Sequence, residues 1–340
     1  MHIGKNKEKC LKKMKVENTD LDVIDEVVYL GDILSSDGKN TKNIKDRVSR
    51  GLGIISQIFT ILEHTSFGSS YFEVALMLRS SLLVSSVCFN SETWYGLSEK
   101  DLSDLSSLDR IFFAKLFHLP KTTAFEGFFL EAGCLRLRDV IKQRRVMYLH
   151  SLATRGNDEM ARKVINHQWN NPPIKNDWAG TVKEDLGDLK IDVDDIEEVK
   201  RIPKQKFKEI VSERVEEFTF TRLMKLKDSH SKLSNLKYKD LKIRQYLVDK
   251  TISTEEKILV VKWRLRMADF RDNYKGGGEA NVCFLCSLHE DSQKKSFECD
   301  VIKREVEING RYEDIFEERI SKALVKTIKN IEEFRERNRK

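Results

Sequence analysis

Cysteine, proline and aromatic residues are all scarce in this 340-residue chain, and each shortage removes a class of fold. Six cysteines at uneven spacing (Cys10, Cys88, Cys134, Cys283, Cys286, Cys299) are too few for a disulfide scaffold and fit a reducing, intracellular compartment, nuclear or cytoplasmic. Four prolines and 9% aromatics beside 34% charged residues suit long, solvated helices better than sheets. No cleavable signal opens the chain. The longest apolar run, Tyr71 to Phe89, is broken by Glu73, Arg79 and several serines. It falls short of the roughly 20 clean residues a membrane span needs, so it reads as a buried helix and no membrane partner is expected.

Catalytic groupings are missing as well. His150, His167 and His230 are scattered without a nucleophile or carboxylate at a readable spacing, which argues against a hydrolase triad. Gly276-Gly277-Gly278 neither follows a strand nor opens a helix, so it reads as a hinge and not as a phosphate loop. The adjacent pair Asp194-Asp195 sits in an acidic run with Asp188, Asp192, Glu197 and Glu198, the pattern of a solvated loop or helix start. No catalytic residue is assigned.

What the chain does have is charge and helical period. Its net charge of +6, from 61 basic against 55 acidic residues, leans toward a polyanionic partner, because clustered Lys and Arg gain affinity by releasing phosphate counterions. Its length predicts more than one compact unit. Val27 to Leu34 has strand composition, and Ser35-Ser36-Asp37-Gly38 supplies a turn in which Gly38 takes positive φ, so a short hairpin is expected. From Thr41 the period turns helical, with Ile44, Val48, Leu52, Ile55, Phe59 and Leu62 on one stripe and Lys42, Lys45, Arg47 and Arg50 off it. Ser70 and Ser98 are candidate caps for the next two helices, the second through a capping-box pattern with Asp101. A helix from Arg136 to about Thr154 is expected to turn Leu137, Val140, Ile141 and Tyr148 inward and Lys142, Arg144 and Arg145 outward. Pro203 precedes an amphipathic helix with Phe207, Val211, Val215 and Leu223. Further helices are expected over Tyr238 to Asp249, Thr254 to Arg271 and Tyr312 to Arg337. Trp94, Trp169, Trp178 and Trp263 lie in apolar helical contexts and are expected in the core. Asn170-Asn171-Pro172-Pro173 marks a boundary.

Several short segments, in order along nearly the whole chain, are similar to the LINE-type (non-LTR) retrotransposon reverse transcriptases. They are Met1-His2-Ile3-Gly4-Lys5, Tyr29-Leu30-Gly31-Asp32, Ser91-Glu92-Thr93-Trp94-Tyr95-Gly96, Glu131-Ala132-Gly133, Arg144-Arg145-Val146-Met147-Tyr148, Asp177-Trp178, His230-Ser231-Lys232 and Gln245-Tyr246-Leu247. The resemblance implies the part of that enzyme downstream of its catalytic palm. It implies a mainly α fold with four parts: a palm remnant and β-hairpin (1–40), a thumb-like helical bundle (41–169), a downstream helical domain (170–275) and a Cys-containing tail with a terminal helix (276–340). The paired aspartates that hold two metal ions in such enzymes belong upstream of the matched segments, so the chain alone is expected not to polymerise.

The partners implied are RNA or a DNA–RNA duplex gripped by its phosphates, and the upstream palm and fingers. Candidate nucleic-acid contacts are Lys5, Gly31, Lys45, Arg47, Arg144 and Arg145, on the hairpin and the basic helix faces. Cys283-x-x-Cys286 with Cys299 is a candidate Zn²⁺ site, since a two-residue gap lets both thiolates reach one tetrahedral ion. Members of the family resembled carry a histidine four residues before the last cysteine, and here Lys295 stands in that place, with His289 as the substitute ligand considered. The alternatives are a degenerate site with free thiols, a retained non-enzymatic module for nucleic acid or protein, and an inert product of a decayed element.

Overall fold

The computed structural model describes residues 24–171, 177–273 and 281–339, together with the backbone of 15–16 and 19–20. Lys5, Cys10, the Pro172-Pro173 boundary and the Gly276–Gly278 hinge lie outside the described residues. The fold is mainly helical with a β-hairpin near its start, as expected. Strands β1 (Lys15–Val16) and β2 (Thr19–Asp20) pair antiparallel, and so do β3 (Glu26–Tyr29) and β4 (Asp32–Ser35). There follow α1 (Thr41–His64), α2 (Tyr71–Leu78), α3 (Ser85–Val87), α4 (Glu99–Leu116), α5 (Phe125–Ala132), α6 (Leu137–Ala153), α7 (Met160–Asn170) and α8 (Trp178–Asp188). Then come α9 (Ile196–Arg201), α10 (Lys204–Asp228), α11 (Gln245–Val248), α12 (Thr254–Arg264), α13 (Gln293–Ser296), α14 (Asp300–Glu305) and α15 (Lys322–Arg337). No described helix is long and apolar enough to cross a membrane.

The hairpin turns earlier than the sequence predicts. The run 27–34 is two strands, folded back at Leu30-Gly31, where both residues have positive φ (48° and 84°) and Gly31 relieves the second. The turn expected at Gly38 is also present, with φ 70° and its N–H donated to the Ser35 carbonyl at 3.0 Å; it leads into α1.

The chain divides into two compact units, each assembled from three stretches: 1–56, 81–109 and 136–218 in the first, 57–80, 110–135 and 219–340 in the second. A π-helical stretch, Arg79–Val84, joins α2 to α3 across that division.

In the first unit, α1 buries Ile44 and Ile55 as its period predicts, but Leu52 is exposed and Gly51 takes its place on the packed stripe. A Cβ at Gly51 would stand 2.6 Å from Leu108 Cδ1 and 3.0 Å from Val87 Cγ2, so α1 passes closer to α4 and α3 than any side chain there allows. The capping box of α4 is formed: the Ser98 hydroxyl and N–H donate to Asp101 Oδ2 (2.6 and 3.0 Å), and the Asp101 N–H donates back to Ser98 Oγ at 3.2 Å. Helix α6 is the spine of this unit. Leu137, Ile141, Val146 and Leu149 are buried, and His150 donates its Nε2–H to the Ile202 carbonyl at 2.8 Å while its ring lies against Phe207.

The second unit has an aromatic core, in which Phe113 contacts Phe112, Phe117, Phe128 and Phe129 at centroid distances of 5.0–6.1 Å. Beside it lies a buried polar knot. Glu131, at the end of α5, accepts from Tyr238 Oη, Tyr246 Oη and Arg264 Nε, each at 2.7 Å, with both charged side chains fully buried. Burial drives both tyrosine hydroxyls far above their ordinary pKa, with the Glu131 charge adding to it. At Arg264 burial works against the cation, and Glu131 outweighs it and holds the guanidinium charged.

This knot explains why helix is shorter than expected over 238–249. Only Gln245–Val248 is helical, because the Arg244 N–H is donated to the Glu131 carbonyl (3.1 Å) and 242–243 press against Gly133. A Cβ on Gly133, whose φ is 61°, would fall 1.9 Å from the Lys242 carbonyl carbon. Helix α12 also ends early, at Arg264, and opens on a reciprocal capping box between Ser253 and Glu256. Ser253→Ala removes the acceptor for the Glu256 N–H (3.3 Å) and is expected to cost about 1 kcal/mol in urea unfolding. The predicted last helix is broken: Tyr312–Phe316 is a 3₁₀ turn, and α15 starts afresh on the Ser321 cap.

Candidate metal centre

Cys283 and Cys286 sit in a tight turn. The Cys283 N–H is donated to the His289 carbonyl (2.7 Å), and the Ser287 N–H to the Cys283 carbonyl (2.8 Å). Ser287 takes φ 53°, the left-handed conformation that turns the chain back after the second cysteine. Cys299 arrives from the other side, as the residue that precedes α14. The three Sγ atoms lie within 4.8 Å of one another, with Cys283 and Cys299 buried and Cys286 half-buried. Tetrahedral thiolates on one zinc ion stand about 3.8 Å apart, as Zn–S bonds near 2.3 Å require, so a small contraction brings this trio onto a single ion.

The local backbone is arranged for thiolates. Burial pushes the Cys286 thiol up, but N–H groups of Leu288 and His289 and the neighbouring cysteine thiols outweigh it and bring it below its ordinary value. At Cys299 burial prevails and raises the thiol, although the Ile302 and Val301 N–H groups oppose it at the start of α14. Four backbone N–H groups thus point at two sulfurs, which is how a protein stabilises sulfur-borne negative charge where it holds a soft cation.

The candidate fourth ligands are not in this group. His289 serves the turn through its backbone carbonyl, and its ring is not among the ligand atoms gathered within 4.8 Å. His289 is the substitute ligand considered, and among the described residues the group gathered within 4.8 Å consists of the three cysteines alone. Lys295 pairs instead with Glu298 at 2.6 Å. Among the described residues the centre is therefore a three-cysteine group that can hold a metal ion.

The basic candidates fare differently from one another. Lys45 is exposed on α1. Arg47 is 3% exposed; its guanidinium donates to the Gly31 carbonyl (2.9 Å), Asp32 Oδ1 (2.7 Å) and the Ser86 carbonyl (3.3 Å), and lies 5.3 Å from the Phe89 ring centroid. It ties the hairpin turn to α1, and the Gly31 carbonyl is consumed in the same tie. Arg145 is 7% exposed and locked to both oxygens of Asp185 (2.7 and 3.2 Å), where Lys142 joins it at 2.7 Å. Arg144 is half-buried and donates to the Cys88 carbonyl. The outward face expected for Lys142 and Arg145 is thus turned toward α8, because Asp185 supplies the charge that makes their burial tolerable. Asp195 caps α9 through the Glu197 N–H (3.1 Å), and the Asp194 carbonyl accepts from Trp169 Nε1 at 3.2 Å.

Sequence reasoning missed a cleft in the second unit whose wall includes Glu332, Glu333 and Glu336 of α15. The signal available was that trio itself, which shares one side of a helix at i, i+1 and i+4. No known family model, no curated protein and no solved structure matches the chain.

Proposed function

We propose that this chain is a non-catalytic, nucleic-acid-binding part of a LINE-type reverse transcriptase, which grips RNA or a DNA–RNA duplex through phosphates and carries a structural zinc site in its tail. The observation that carries the reading is the cysteine cluster, because short Cys-x-x-Cys knuckles recur among the modules that hold RNA. Cys283, Cys286 and Cys299 would hold the ion, which would cross-link the 283–289 turn to the start of α14. The mainly helical fold with a leading hairpin agrees with what the resemblance implies. Exposed Lys45 and partly exposed Arg144 supply charge for phosphates, whereas Arg47 and Arg145 act indirectly by fixing the hairpin and α6. The upstream palm and fingers are the protein partner of this reading.

Fluorescence anisotropy with a labelled DNA–RNA duplex tests it. For about three or four phosphate contacts, affinity falls on the order of a hundredfold between 50 and 200 mM salt. Primer extension with Mg²⁺ and nucleotides yields no product from the chain alone, and templated products would overturn the non-catalytic part. A second reading, a protein-interaction module, is favoured by the hairpin tip, where Val28, Tyr29 and Leu30 are 66%, 62% and 72% exposed. Absent or salt-independent duplex binding would decide for it.

A further inference from the structure

The second unit contains a cleft of about 890 Å³, within the range of about 300–1,000 Å³ that small-molecule sites occupy. The end of α1, the loop from it to α2, His118, one side of α12 from Thr254 to Lys262 and the second half of α15 form its walls. Leu62, Phe67, Tyr71, Ile258 and Leu259 give it an apolar lining. The polar lining is lopsided: six glutamates face two lysines, Lys262 and Lys329, a balance of −4 with the histidines neutral.

One of these glutamates is held in place. Glu332 Oε1 accepts from Trp263 Nε1 at 2.8 Å, and Trp263 is fully buried. Burial raises the Glu332 carboxyl above its ordinary value, raises the Tyr71 hydroxyl, and lowers His118. Three groups around one cleft are therefore short of water, a clustering typical of sites that bind or react with a ligand. A fixed, poorly hydrated carboxylate above an apolar wall, with Glu333 and Glu336 exposed at the rim, gains from a positive charge and excludes a negative one.

We propose that this cleft binds a small-molecule primary amine, its ammonium against Glu332 and its hydrocarbon body against Leu62, Phe67, Tyr71 and Ile258. The site is separate from the cysteine cluster and does not depend on the nucleic-acid reading. Ammonium and carboxylate pair by charge-assisted hydrogen bonds, while the apolar wall selects amines that carry a ring or chain over ammonium itself.

Isothermal titration of the full chain at neutral pH, with phenethylamine as the probe and phenethyl alcohol as its uncharged counterpart, tests the proposal. The amine binds one per chain and at least about tenfold more tightly than the alcohol. Glu332→Gln removes roughly that tenfold advantage and leaves alcohol binding unchanged. Since Glu332 also anchors Trp263, Glu336→Gln on the rim is the second variant; it weakens the amine about two- to threefold at low salt and spares the alcohol. Equal binding of amine and alcohol, no amine binding at millimolar concentration, or full amine affinity in both variants overturns the proposal.

Discussion

Glu131→Gln is expected to destabilise the second unit by about 3–5 kcal/mol, because it leaves the fully buried Arg264 guanidinium without its counter-charge. Arg264 cannot shed its proton, and every acceptor left to it is neutral: the carbonyls of Ile315 and Glu317 and the side-chain amide oxygen at position 131. For a unit of this size the loss corresponds to a fall in Tm of roughly 6–20 °C. Tyr238→Phe, which removes one of the three bonds and no charge, costs less, about 1–3 kcal/mol. Joint replacement of Glu131 and Arg264 by methionine recovers much of the loss, as a desolvated ion pair replaced by well-packed apolar groups often does. Thermal and urea unfolding of the three variants measure this. A Glu131→Gln protein within about 1 kcal/mol of the parent would show that water reaches the knot and screens the cation.

The second large effect concerns the metal. Cys299→Ser leaves two thiolates where there were three, and zinc affinity is expected to fall on the order of a thousandfold, about a third of the apparent binding energy of a structural zinc site. Competition with a colorimetric chelator reads the affinity. Chelator treatment of the parent chain lowers its Tm, whereas the serine variant already unfolds at the lowered temperature and does not respond. Unchanged zinc stoichiometry in Cys299→Ser, or a parent chain that retains no zinc after loading, contradicts a site built on these three sulfurs.

Local signals were legible and long-range charge pairing was not. The Ser98–Asp101 capping box and the Cys-x-x-Cys turn depend on residues within three of each other, so their chemistry can be read in place. The α1 stripe was legible except at Leu52, where the glycine before it lets another helix come close, which hydrophobic period cannot announce. Arg145 looked like a solvated residue because its partner Asp185 is 40 positions away, and Arg47 likewise because nothing near it in sequence marks Asp32 as its counter-charge. The segment 238–244 has helical composition but is held non-helical by the end of α5. The amine cleft was invisible for the same reason: its walls come from four separate stretches of the second unit.

The Glu131 knot also sets a timetable. Its three partners lie 107, 115 and 133 residues downstream. At a synthesis rate of 5–20 residues per second, about 7–27 s pass between the making of the carboxylate and the making of the guanidinium that neutralises it. Through that interval α5 carries an acid whose counter-charge has not been made, even though Phe113 and Phe117, already synthesised, are there to cover Phe128 and Phe129. The second unit therefore closes after most of its chain is synthesised, and its nascent helices are candidates for chaperone protection until Arg264 arrives.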